Sequence, residues 1–129
     1  LSYSGANENS GSPHVLLNDT HLSLDPAPFL ENDHCIVSLR LVVEAMGGQV
    51  NWDKEQQEST ITCSGIMAII KAGSSTALVN NQQVPVDVEA RLQAGRMLVP
   101  LRFVAQICRA EVWWDSATST ASLRLAIQR

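Results

Sequence analysis

Long apolar runs are missing from this chain: in its 129 residues no stretch approaches the roughly 20 apolar residues that a membrane-spanning helix needs. A stripe of positive charge is missing too. The nine Lys and Arg are scattered and the net charge is −4, so the electrostatic footprint of a nucleic-acid binder is absent. Cysteine is scarce. Cys35, Cys63 and Cys108 show no CxxC spacing and no zinc-type His/Cys cluster. Aromatic residues make up only 5%, so a core has to be mostly aliphatic. The chain opens on Leu1 rather than Met, which suggests a processed or excised form, so the lack of a signal peptide says nothing about export.

What remains is the composition of one folded domain, 45% hydrophobic and 17% charged. Residues 1–13, LSYSGANENSGSP, are polar and aperiodic and read as an arm. Such an arm orders by docking on its own domain or on a neighbour. The domain proper runs over residues 14–129.

That domain repeats itself. At a constant offset of 62, residues 16–63 and 78–125 share eleven identities, among them Arg40/Arg102, Trp52/Trp114 and Asp53/Asp115. Chance gives roughly three over such a window. An internal duplication is expected, with half-repeats over about 14–65 and 66–129. Val15–Leu17, the Asn18-Asp19 pair and Leu22/Leu24 read as a hairpin. Leu78-Val79, Asn80-Asn81 and Val84 read as its counterpart. Leu39, Val42, Val43 and Met46 form one helical stripe, and Leu101, Val104, Ala105 and Cys108 another. Ser38 suits an N-cap, Pro100 a first helical turn, and Gly47-Gly48 a helix end. Strands follow at Val50–Trp52 and Val112–Trp114, with return strands through Ile61/Cys63 and Leu123/Leu125. Ile66–Ile70, nearly continuous in apolar residues, reads as a buried strand between the halves. The expected class is α+β: a strand-strand-helix-strand-strand unit, twice, of antiparallel sheet packed on two helices.

VPLRFVAQ…AEVWWD, paired with the earlier SLRLVVEAMGGQVNWD, resembles the copper amine oxidase N-terminal-like domain, the stalk domain of many exported proteins of Gram-positive bacteria. The resemblance runs from about His14 to Leu125. It implies a secreted or cell-surface life and a non-catalytic role beside another domain. In amine oxidases the copper and the tyrosine-derived quinone belong to a separate catalytic domain; the single tyrosine here is Tyr3, in the arm.

No candidate for chemistry outweighs a structural reading. His14, His21 and His34 lack ligand spacing and read as surface histidines, so no metal or other cofactor is expected. Each cysteine replaces a hydrophobe of the other half, the behaviour of a small buried apolar residue, with a Cys35–Cys63 disulfide left open. Arg40, Arg102, Asp53 and Asp115 occur in both halves and so point to folding rather than to one active site. Trp52 and Trp114 are shared as well and are expected to be buried or half-buried. Trp113 stands alone. Its counterpart is Asn51, and strand alternation turns it outward as an exposed anchor.

The expected function is a non-catalytic, exported surface module acting through Trp113 and Tyr3. It would pair with itself, as a filament or surface-layer subunit whose arm docks on a neighbour, or with other cell-surface proteins. The alternative is a cell-wall or polysaccharide binding domain that targets a catalytic partner, with Trp113 as its stacking platform. Neither nucleic acid nor membrane insertion is expected.

Overall fold

In a computed structural model of the chain, residues 13–125 are described. The arm and Tyr3 therefore lie outside the described residues, apart from Pro13.

The chain is built from short strands. In order they are β1 (His14–Leu17), β2 (Thr20–His21), β3 (Phe29–Glu31), β4 (His34–Ser38), helix α1 (Leu39–Ala45), β5 (Gln49–Asp53), β6 (Glu58–Cys63), β7 (Ile66–Lys71), β8 (Thr76–Val79), β9 (Gln82–Pro85), β10 (Arg91–Gln93), β11 (Arg96–Pro100), helix α2 (Leu101–Ile107), β12 (Ala110–Asp115) and β13 (Thr120–Leu125). Paired residues at positive φ turn the hairpins: Asn18-Asp19, Asn32-Asp33, Ser64-Gly65, Asn80-Asn81 and Ala94-Gly95. Two successive left-handed residues match the right-handed twist of the flanking strands, and Asn, Asp and Gly tolerate that backbone best.

Three sheets result. The first, in the order β9-β8-β7-β6-β5, is antiparallel throughout. The second, β10-β11-β4-β3, is also antiparallel. The third, β12-β13-β1-β2, has one parallel pair, β13 with β1.

The expected α+β class is thereby overturned. Among the described residues strand accounts for 52% and helix for 12%, in two helices of seven residues each. Nor does a duplicated unit organise the fold. Every sheet takes strands from both sides of Ile66, so neither stretch closes a core alone, and four strands precede the first helix and, from Ile66 on, five the second, where two were expected. Helices of two turns are marginal by themselves; here their apolar stripes are held by burial. Leu39, Val42, Val43 and Met46 are all buried, as are Leu101, Val104, Ala105 and Cys108. Ser38 Oγ accepts from the Leu41 N–H at 3.4 Å and caps α1. Pro100 sits one step earlier than expected, at the N-cap of α2, with no side-chain cap bond.

One core joins the three sheets and both helices, from Val15 and Leu123 through Val37 and Val99 to Ile61 and Ile70. The second sheet is covered on both faces. Val37 and Val99 enter that core, while Ile36 and Leu98 turn the other way to pack with Val88 and Phe29.

A paired charge ties the two outer strands of that sheet. Arg91 on β10 donates from Nη2 to Oε1 of Glu31 on β3 at 2.6 Å, and from Nη1 to Oε2 at 3.1 Å. The guanidinium also lies 5.6 Å from the centroid of the Phe29 ring. The hydrogen bonds from Arg91 hold the Glu31 carboxyl below its ordinary value of 4.5. A lowered carboxyl value in the folded state means stability that is present above the unfolded value and lost as pH falls through the folded one. The advantage of the native protein over Glu31→Gln is therefore expected in full at pH 7, shrinking once pH drops below 4.5. Urea unfolding of both proteins at neutral and at acid pH checks this; an advantage that grows in acid would contradict it.

Candidate functional site

Among the described residues, strand β12 forms an outer edge of the third sheet, paired on one side only, with β13. Trp113 lies opposite Ser122 and Trp114 opposite Ala121, so the two indoles leave the strand on opposite faces. Both are exposed, Trp113 by 52% and Trp114 by 42%. Exposure of Trp114 corrects the expectation of a buried or half-buried ring. It borders a small hollow of about 50 Å³ with Leu30, His34 and Arg102, too shallow to enclose an indole. Trp52 is half-buried, in a groove of about 240 Å³ between α1, β5 and the β10–β11 hairpin, with Arg40 and Arg96 along its sides.

Behind Trp113 one cross-strand row runs through Ser122, Leu16 and His21. Glu111 and Arg124 face each other beside it, and Asp19 lies 3.5 Å from Arg124. This is an open sheet face with an aromatic anchor at its edge and charges of both signs at one end.

The repeated polar residues serve local geometry. Arg40 Nη1 donates to the Val50 carbonyl at 3.0 Å and to Glu44 Oε2 at 3.3 Å. Asp53 Oδ1 accepts from the Glu55 and Gln56 N–H groups at 3.0 and 3.1 Å, and Asp115 Oδ1 from the Ala117 N–H at 2.9 Å. Each aspartate thus closes the turn after its strand. Arg102 is exposed on α2.

The cysteines are free. Cys63 and Cys108 are both buried and neighbour each other, and the Cys108 proton is held more tightly through burial first and this neighbour second. Burial pushes the Cys35 thiol up to about 12. Thiols kept protonated are poor nucleophiles. Among the described residues no three His, Cys, Asp or Glu side chains gather as a metal cage. His34 stands apart from the other histidines, with Nδ1 3.9 Å from Asp87. His14 and His21, in contrast, touch, Nδ1 to Nε2 at 3.3 Å. Spacing along the chain hid that contact; the register implied by a two-residue Asn18-Asp19 turn would have revealed it.

The profile of the copper amine oxidase N-terminal domain matches residues 16–123, from β1 into β13. The chain belongs to this family. A protein of Brevibacillus choshinensis named a protease inhibitor is 32% identical over 77 residues, a stretch covering 60% of this chain and 24% of that protein. The chain thus matches about a quarter of that relative's length. The family match takes in the whole of β12, so the tryptophan edge is part of the copper amine oxidase N-terminal domain itself and not an appendage to it. None of its helices is long and apolar enough to cross a membrane, among the described residues.

Proposed function

We propose that this copper amine oxidase N-terminal domain is a non-catalytic binding module of an exported protein, and that it engages another surface protein through strand β12. The observation that carries the reading is the pair of exposed tryptophans on opposite faces of a strand that, among the described residues, has one edge without a partner strand. An edge strand offers main-chain hydrogen bonds to an extended segment, and indoles on its two faces supply the contact area that binding hot spots use. Exposed Glu111 and Asp115 bracket the tryptophans; charges there keep such an edge from pairing indiscriminately. The Brevibacillus relative, named a protease inhibitor, is in keeping with a non-catalytic role. Filament or surface-layer assembly through a docking arm draws no support from the described residues, because the arm on which it depends lies outside them.

A second reading keeps one specific observation on its side. Trp113 stands over an open sheet face beside Ser122 and Leu16, a platform on which a sugar ring can stack. Binding of the native domain and of Trp113→Ala to a cell-surface protein fraction and to purified peptidoglycan separates the two. Trp113→Ala is expected to weaken capture of a surface protein by about 2 kcal/mol, some thirtyfold, while stability changes by no more than about 0.5 kcal/mol. Retention on peptidoglycan that the same substitution abolishes would favour the polysaccharide reading. Capture of a surface protein that ignores both tryptophans would sink the β12 assignment.

A further inference from the structure

The β1–β2 hairpin brings two imidazoles together that the chain separates by seven residues. The Asn18-Asp19 turn pairs Leu17 with Thr20 and Leu16 with His21, which leaves His14 diagonal to His21 on the same outward face. Their ring centroids are 5.4 Å apart with planes at 56°, and His14 Nδ1 stands 3.3 Å from His21 Nε2. Both residues are exposed.

That nitrogen spacing has a coordination meaning. Two Zn–N bonds of about 2.0–2.1 Å at the tetrahedral angle hold their nitrogens about 3.3–3.4 Å apart. The right-angle bite of a square-planar or octahedral ion would need about 2.8–3.0 Å. The contact itself is a hydrogen bond in which one ring nitrogen donates to the other; binding an ion releases that proton and turns both lone pairs to a common point, at a nitrogen spacing that the hairpin already sets.

We propose that His14 and His21 form half of a tetrahedral site for Zn²⁺ or a cation like it, completed by the same pair from a second copy of this chain. Among the described residues no third His, Cys, Asp or Glu stands close enough to serve. Both residues are exposed on the outer face of the third sheet, so among the described residues nothing covers the two remaining coordination positions. A copy approaching face to face about a twofold axis presents an identical pair there, giving four imidazoles. The same face carries Leu16 and, further along the row, Trp113, which supply apolar contact, and its charges are of both signs, with Glu111 opposite Arg124. The metal ligands are not residues of β12, so zinc uptake is tested separately from what β12 binds.

Equilibrium dialysis of the full chain against zinc chloride, with sedimentation velocity in zinc and in EDTA, tests it. The expected result is one zinc per two chains, a monomer that becomes a dimer in zinc, and reversal by EDTA. His14→Ala and His21→Ala should each lower zinc affinity by about tenfold or more and abolish the dimer; as both side chains are exposed, circular dichroism should show the fold intact. His34→Ala, on the second sheet, should change neither readout. No uptake by millimolar zinc, one zinc per chain without dimerisation, or uptake indifferent to both substitutions would overturn the proposal.

Discussion

Replacing Gly48 by alanine is expected to destabilise the domain by about 3 kcal/mol, the upper end of the usual cost of overpacking a core. A Cβ built at this position would lie 2.7 Å from the Thr62 carbonyl oxygen and 2.8 Å from both Cys63 Cβ and Val43 Cγ1. Two of those atoms are backbone or fixed directly to it. The clash therefore cannot be relieved by a side-chain rotation and has to push the end of α1 away from β6. The neighbouring residue is the control. Gly47 has φ +88° and open space around its missing Cβ, so Gly47→Ala meets only the cost of a left-handed backbone, about 1 kcal/mol. Urea unfolding of the two variants ranks them. Equal losses would mean that the close approach of helix and strand at Gly48 contributes nothing, and that backbone conformation governs both positions.

Gly47-Gly48 was legible from the sequence as a helix end; that one glycine turns the chain while the other lets a strand approach was not, because the approaching atoms belong to residues 62 and 63. The same division runs through the molecule. Local signals were sound where the chain itself sets the geometry: the Asn18-Asp19 and Asn80-Asn81 turns, the helical stripes and the Ser38 cap all stand where short-range chemistry puts them. The β3–β4 and β10–β11 hairpins escaped notice. Their outer strands are three residues long, too short for alternation to register, and the two hairpins are joined only by the pairing of their inner strands, β4 with β11, which lie far apart in sequence. That omission concealed the second sheet and led to the wrong class. Recurrence of Trp52 at Trp114 suggested equal burial, yet recurrence preserves a position and not its surroundings. Ser59 sits opposite Trp52 where Ala121 sits opposite Trp114, and the grooves beside them differ about fivefold in volume. The nearness of Cys63 to Cys108 arises from packing at the end of β6 against α2, which no spacing rule reports. Of the candidate site, the outward turn of Trp113 followed from period-two alternation, whereas its place on a free edge is a property of sheet order alone.

Ile70→Ala is expected to cost about 4 kcal/mol, while Met67→Ala, three residues earlier on the same strand, stays within about 0.5 kcal/mol. In sequence the two belong to one apolar run, IMAII, and nothing in that run separates them. In the fold β7 is the middle strand of the five-stranded sheet, and only one of its faces meets the core. Ile70 is fully buried, whereas Met67 is 52% exposed. The size of the loss at Ile70 follows from its neighbours across the ladder, Ser59 on β6 and Ala77 on β8. Both are small, and both are fixed in register by main-chain hydrogen bonds, so neither can fill the space a shortened side chain leaves. Cavities that cannot collapse lie at the costly end of the large-to-small range. Ile70→Val, which removes one methylene group, should cost only about 1 kcal/mol. Because β7 joins strands formed before it, β5 and β6, to strands formed after it, β8 and β9, the Ile70→Ala loss should appear as one earlier cooperative transition followed by fluorescence and by circular dichroism alike. Two separated transitions, or equal losses at Ile70 and Met67, would show that the sheet does not bind the two stretches of chain into a single unit.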